Sequence, residues 1–169
     1  AIVPHRGRMI REVIARGAFA GLERRANRVK AYRGHPNVQP DAEVIGRALA
    51  FHPDRPEGLV AELRVTRREP LGDDILRDAE DGILDASAGF GVMPGGEEWL
   101  EGRSLRRLSK LFLDHVALVP DPAYADARVL AVRSAATAPA SATPNLDVVR
   151  AWRLEDQSAS VAGVPTRRS

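Results

Sequence analysis

Cysteine is absent, which excludes disulfides, thiolate zinc sites, iron-sulfur clusters and a cysteine nucleophile. Chemistry must then be sought among Ser, Thr, His, Asp, Glu and Lys. No apolar run reaches the roughly 18 residues that a membrane-spanning helix needs. Nor does a charged start followed by an apolar stretch read as an export signal, so an intracellular protein without membrane association is expected. Aromatic residues make up only 5%, too few for a base-stacking platform. An excess of one charge is also missing: 25 basic residues face 23 acidic ones, for a net +2. The pI of about 9.5 reflects arginine rather than a strong field, since Lys30 and Lys110 are the only lysines. The pairs Arg24-Arg25, Arg67-Arg68 and Arg106-Arg107 are each interrupted by acidic or apolar neighbours. Nucleic acid is therefore not an expected partner.

What is present is a chain of 169 residues, 44% of them hydrophobic, enough for one domain with a sizeable core. Composition changes after Arg133. The stretch 134–144 (SAATAPASATP) holds only small residues and prolines and reads as a flexible linker. Beyond it, Asn145 can cap a short helix whose Leu146, Val149 and Trp152 form an apolar stripe in the tail 145–169. The folded unit is expected to be residues 1–133.

Within that unit, VIGRALAF (44–51) and GLVAELRVT (58–66) flank a turn-rich HPDRPE and predict a hairpin. PLGDDILRDAED (70–81) has a helical pattern stopped by Gly82. Extended structure is predicted through ILDASAGFGV (83–92), HVALV (115–119) and ARVLAVR (127–133). Strands interrupted by single short helices predict an α+β, β-rich domain. The form expected is a closed or partly closed antiparallel β-barrel flanked by a few short helices.

Among the four histidines, His5 lies in a basic segment and His52 in the expected hairpin loop, and both read as surface residues. His35 precedes a loop at a position a sheet could present, and His115 opens an apolar strand. Ser87 is flanked by Ala86, Ala88 and Gly89, a bare backbone that lets a substrate approach or, equally, lets two backbones pack closely. A serine attacking a carbonyl needs a general base, and the base needs a third group to fix its tautomer. His35 and His115 are the candidates for these two roles. The G-x-S-x-G elbow is absent, since Asp85 stands two residues before Ser87.

The ordered pieces RGAF (16–19), GH (34–35), IGRA (45–48), EGL (57–59), SAGFGV (87–92), DHVALVPDPAY (114–124) and ARVLAVR (127–133) together resemble the prohead serine proteases of tailed phages. That family is distantly related in fold to herpesvirus assemblin. The resemblance implies Ser87 as nucleophile, His35 as general base and His115 in the third position, where many prohead proteases carry Glu and the herpesvirus relatives carry His. A neutral imidazole there supports the forming imidazolium less than a carboxylate does, so a modest catalyst is expected. Asp114 is a rival for the third role, but strand alternation predicts that it faces away from His115. Asp85 shares the face of Ser87, where a local turn contact is expected. Backbone N–H groups of Ala88 and Gly89 are the oxyanion candidates, with the turn at 122–124 as an alternative.

The implied activity is a serine endopeptidase that cleaves capsid or scaffold protein, with its own chain as a further candidate substrate, in the host cytoplasm inside the assembling prohead. The competing reading is a non-catalytic assembly module of the same fold. Major capsid protein and scaffold are the expected partners, a homodimer is compatible, and neither a cofactor nor a metal is expected. The chain starts at Ala1 without an initiator residue, and part of the first strand is expected to lie upstream.

Overall fold

Alternation of inward apolar and outward charged side chains recurs along the chain, and each such stretch becomes a strand. The computed structural model describes residues 1–55, 58–66, 71–124, 126–133 and 148–151. The strands are β1 (Ile2–His5), β2 (Arg8–Ile14), β3 (Lys30–Arg33), β4 (Glu43–Arg55), β5 (Gly58–Val65), β6 (Asp85–Val92), β7 (Glu97–Leu100), β8 (Leu105–Leu108), β9 (Leu111–Val119), β10 (Val129–Arg133) and β11 (Val148–Ala151). One α-helix, α1 (Leu71–Glu80), and two 3-10 turns, Leu22–Arg28 and Glu101–Arg103, complete the described elements.

Four strands form a small sheet in the order β1-β2-β8-β7, and seven form a larger one in the order β10-β11-β5-β4-β3-β9-β6. The larger sheet curls as a half-barrel. Its two ends, β10 and β6, are not paired with each other among the described residues, so a closed barrel is not shown among them. Pairing is mostly antiparallel, but β3 runs parallel to β9 and β2 parallel to β8. The result is β-rich with few helices. Ala31, Ala48, Leu63, Ala86, Val116, Leu118, Ile75 and Leu108 are all within 1% of fully buried. Each of the larger side chains among them contributes about 1.5–3 kcal/mol by leaving water.

The expected hairpin is present as β4 and β5, but β4 continues to Arg55 and takes His52 into the strand. Helix α1 buries Ile75, Leu76 and Ala79 on one side and packs against β10. Asp73 and Asp74 lie in its first turn, where carboxylates favour the positive end of the helix dipole. Its end is a Schellman closure: Ile83 N–H donates to Asp78 O at 2.8 Å and Gly82 N–H to Ala79 O at 3.4 Å, with Gly82 at φ 72°.

The tail departs from its expected conformation. Val148–Ala151, predicted helical, is a strand that pairs with Arg64–Ala61 of β5 on one side and with β10 on the other. Two consecutive β-branched valines suit an extended chain, and an available slot between two strands outweighs a weak local helical pattern. Leu146 and Trp152 lie outside the described residues.

Candidate active site

Strands β6 and β9 are adjacent at one end of the large sheet, and their register brings the candidate residues onto one face. Ser87 is opposite Ala117 and Gly89 opposite His115. Side chains two apart on a strand share a face, so Ser87 and His115 are diagonal neighbours there. Both are buried, at 4% and 2% exposure. Gly89 carries the close approach: a Cβ at this position would run into the His115 imidazole. The bare backbone beside Ser87 thus seats the His115 ring and leaves Ser87 buried rather than open. The Tyr32 ring stands edge-on to His115 from β3, with centroids 5.5 Å apart.

His35 is delivered from the end of β3. Gly34 N–H still donates to Leu118 O of β9 at 3.1 Å, after which the chain turns at Gly34, φ 78°, a conformation that favours glycine. Gln39 then clamps the turn. Its side-chain Oε1 accepts from His35 N–H at 2.9 Å, and its own N–H donates to His35 O at 2.8 Å. A Cβ on residue 34 would also collide with that Gln39 oxygen. So held, the half-buried imidazole bridges two partners: Nε2 lies 2.9 Å from Ser87 Oγ, and Nδ1 lies 2.9 Å from His115 Nε2. Burial, reinforced by the neighbouring His115, holds the pKa of His35 below the ordinary imidazole range. The ring therefore stays neutral and able to accept a proton at neutral pH.

Asp114 is placed differently from the alternation argument. The pairing steps from Gly89 opposite His115 directly to Phe90 opposite Leu113, so Asp114 has no partner on β6 and forms a β-bulge. A bulge breaks the two-residue alternation and re-aims side chains. The Asp114 carboxylate consequently reaches round to His115, with Oδ2 3.0 Å from Nδ1, while its side chain remains 57% exposed.

The other candidates separate from this cluster. Asp85 Oδ1 accepts from Val129 N–H at 3.1 Å and ties β6 to β10. His5 stacks at a tilt on Trp99 in the small sheet, and His52 pairs with Glu62 at 3.4 Å. Ala88 faces Val116 across the β6–β9 ladder.

Two features escaped the sequence reading. Gln39 gives no sequence signal beyond lying in a loop after a histidine. Glu12 occupies an inward position of β2 between Ile10 and Ile14 and is buried. Its carboxylate accepts from the Tyr124 hydroxyl at 2.6 Å and from Arg106 at 3.0 Å. Burial and that carboxylate hold the Tyr124 phenol protonated, well above its ordinary range. An acidic residue inside an apolar alternation was the available clue, and the Pro-Ala-Tyr segment that follows β9 is thereby anchored to the small sheet.

Among the described residues no group of three or more His, Asp or Glu stands together as a metal-binding cluster, and no helix is long and apolar enough to cross a membrane. The cluster that does exist is a hydroxyl, a ring nitrogen able to accept its proton, and a second ring oriented on the first, the parts required for nucleophilic attack on a carbonyl. Neither a curated protein nor a solved structure matches the chain. The sequence profile of the Caudovirus prohead serine proteases, however, matches residues 4–140. With this match spanning most of its length, the chain belongs to the Caudovirus prohead serine protease family, whose role is proteolysis in capsid maturation.

Proposed function

We propose that this protein is a serine endopeptidase acting on capsid or scaffold protein within the assembling prohead, with Ser87 as nucleophile, His35 as general base and His115 as the group that orients His35. The observation that carries the reading is the double bridge made by one imidazole, 2.9 Å to Ser87 Oγ and 2.9 Å to His115 Nε2. In this reading Ser87 Oγ attacks the scissile carbonyl carbon while its proton passes to His35 Nε2. Collapse of the tetrahedral intermediate returns that proton to the departing peptide nitrogen and leaves an acyl ester on Ser87. Water, deprotonated by the same nitrogen, then releases the acid and regenerates the hydroxyl. The oxyanion is assigned to the backbone N–H of Ala88 or Gly89, whichever points away from β9. Both follow the nucleophile on β6, the terminal strand of the sheet order, and neighbouring N–H groups of a strand point to opposite edges, so one of the two faces the edge open to a substrate. The same reading takes the curled sheet as a relative of the herpesvirus assemblin fold.

The test is cleavage of the cognate major capsid and scaffold proteins, followed by mass spectrometry. Ser87→Ala removes one hydroxyl from a buried position and leaves little cavity, so the fold should persist. The rate should fall by about a millionfold, the scale of losing a triad serine. Cleavage continuing near the wild-type rate would overturn the assignment. If Ser87→Ala matched wild type both in the products formed and in proheads assembled, the non-catalytic assembly module would replace it.

A further inference from the structure

The Ser87–His35–His115 chain does not end at His115. We infer that Asp114, the bulged residue of β9, is a positioning residue that sets the direction of every hydrogen bond in the chain by fixing the tautomer of His115. The inference rests on the serine protease reading and extends it by one group.

The argument is proton bookkeeping along three contacts. For Ser87 to donate its proton, His35 Nε2 must present a lone pair, so the single proton of neutral His35 sits on Nδ1. That N–H points at His115 Nε2, 2.9 Å away, which must then also present a lone pair. The proton of neutral His115 is thereby placed on its own Nδ1, and the acceptor 3.0 Å from that nitrogen is Asp114 Oδ2. Every donor meets an acceptor in this arrangement. The reverse polarity, with the His115 proton on Nε2, would donate to His35 Nδ1 and push the His35 proton onto Nε2. His35 would then donate to Ser87 instead of accepting from it, and the base would be disabled.

Two neutral histidines in series have no internal preference between these polarities. A carboxylate accepts hydrogen bonds only, so placing one at the far end selects the productive form. The bulge is what brings it there. With regular pairing, Asp114 and His115 would project from opposite faces of β9, whereas the missing partner for Asp114 on β6 lets both side chains meet. Around the ring, Tyr32 offers its edge from β3, Gly89 lies beneath it on β6, and Lys30 is its register partner on β3 with an exposed side chain. None of these is an acceptor bonded to Nδ1. Because Asp114 is largely exposed, its substitution should spare the fold.

The experiment uses the full chain, with imidazole nitrogens labelled with ¹⁵N, and reads the tautomers by long-range ¹H–¹⁵N correlation. In the wild type His115 should carry its proton on Nδ1. In Asp114→Ala it should shift toward the Nε2-protonated form, and cleavage of the capsid substrate should fall roughly tenfold, the low end of what losing an outer orienting group costs. Asp114→Glu should recover both the tautomer and part of the rate, which a merely structural role would not produce. In a His115→Glu background, where a carboxylate bonds His35 directly, the tenfold penalty should vanish. A wild-type His115 protonated on Nε2, or an Asp114→Ala protein with tautomer and rate unchanged, would overturn the inference and leave the protease reading standing. Persistent cleavage by Ser87→Ala would remove the protease reading, while the tautomer spectra would still judge Asp114.

Discussion

As the proposed general base, His35 has two requirements: it must be neutral to accept a proton and it must tolerate becoming charged. Burial first, and the neighbouring His115 second, lower its pKa, which secures the first requirement at the expense of the second. The acidic limb of kcat/KM, which reports the free enzyme's base, should therefore fall below the ordinary imidazole value of about 6.5. Replacing His115 by a carboxylate reverses the neighbour's effect. In His115→Glu the acidic limb should move upward in pH, and activity should exceed that of His115→Ala, which leaves His35 Nδ1 without its acceptor. An unmoved limb would mean that position 115 does not touch the base. The same lowered pKa has a stability consequence of fixed sign. Between the folded-state value and about 6.5 the unfolded chain binds the proton and the folded one does not. Stability should thus drop as the pH falls through this window, and His35→Gln should lose that part of the slope in a melting-temperature series.

At the scale of the strand, the site depends on places where regular pairing is relaxed or the backbone is bare. Gly89 makes this testable, because a methyl group there would enter the space of the His115 ring. Gly89→Ala keeps the backbone N–H but displaces the ring. With a shift of about 1 Å capable of costing a hundredfold, kcat should fall by about that factor, and overpacking against the buried ring should also lower the melting temperature by several degrees. A fully active Gly89→Ala enzyme would show that the His115 position is not critical. These local departures also explain which features were legible in the sequence. The β4–β5 hairpin, helix α1 with its Gly82 stop, and the strands around Ser87 and His115 follow from periodicity and turn residues, and the His-Ser-His set could be named from the ordered motifs. Asp114 was misplaced because alternation cannot reveal a bulge, which exists only in the pairing of two strands. Strands β2 and β8 (RMIREVI and LRRL) went unseen because charged residues stand at inward as well as outward positions, Glu12 on β2 and Arg106 on β8 among the inward ones, and break the apolar alternation. Gln39 and Glu12 act through partners 4 and 112 residues away; an acidic residue within an apolar alternation hints at a buried Glu12, but local pattern carries no trace of its partner Tyr124.

For the whole molecule, the consequential departure is that the chain returns to the large sheet after residue 147. Strand β11 lies between β10 and β5, so it is an interior strand although it is last in sequence among the described strands. Without it, β5 becomes an edge with unpaired N–H and C=O groups, and β10 loses its only strand partner among the described residues. Helix α1 packs on β10, and Asp85 of β6 holds the Val129 N–H at its start, so β10 would still keep those attachments. A chain ending at Arg133 should therefore fold less stably than the full chain. A loss of 1–2 kcal/mol would lower the melting temperature by about 2–8 °C at this size. The sheet order also predicts what truncation spares. Between β11 and the strands that carry Ser87, His35 and His115 stand β5 and β4. At a temperature where both forms are folded, the truncated chain should cleave at the full-length rate per active molecule, as counted by titration with a serine-reactive inhibitor. An unchanged melting temperature would show that β11 adds nothing to the sheet. A full-temperature loss of activity with the active-site count preserved would show instead that the two ends of the sheet are coupled through β5 and β4.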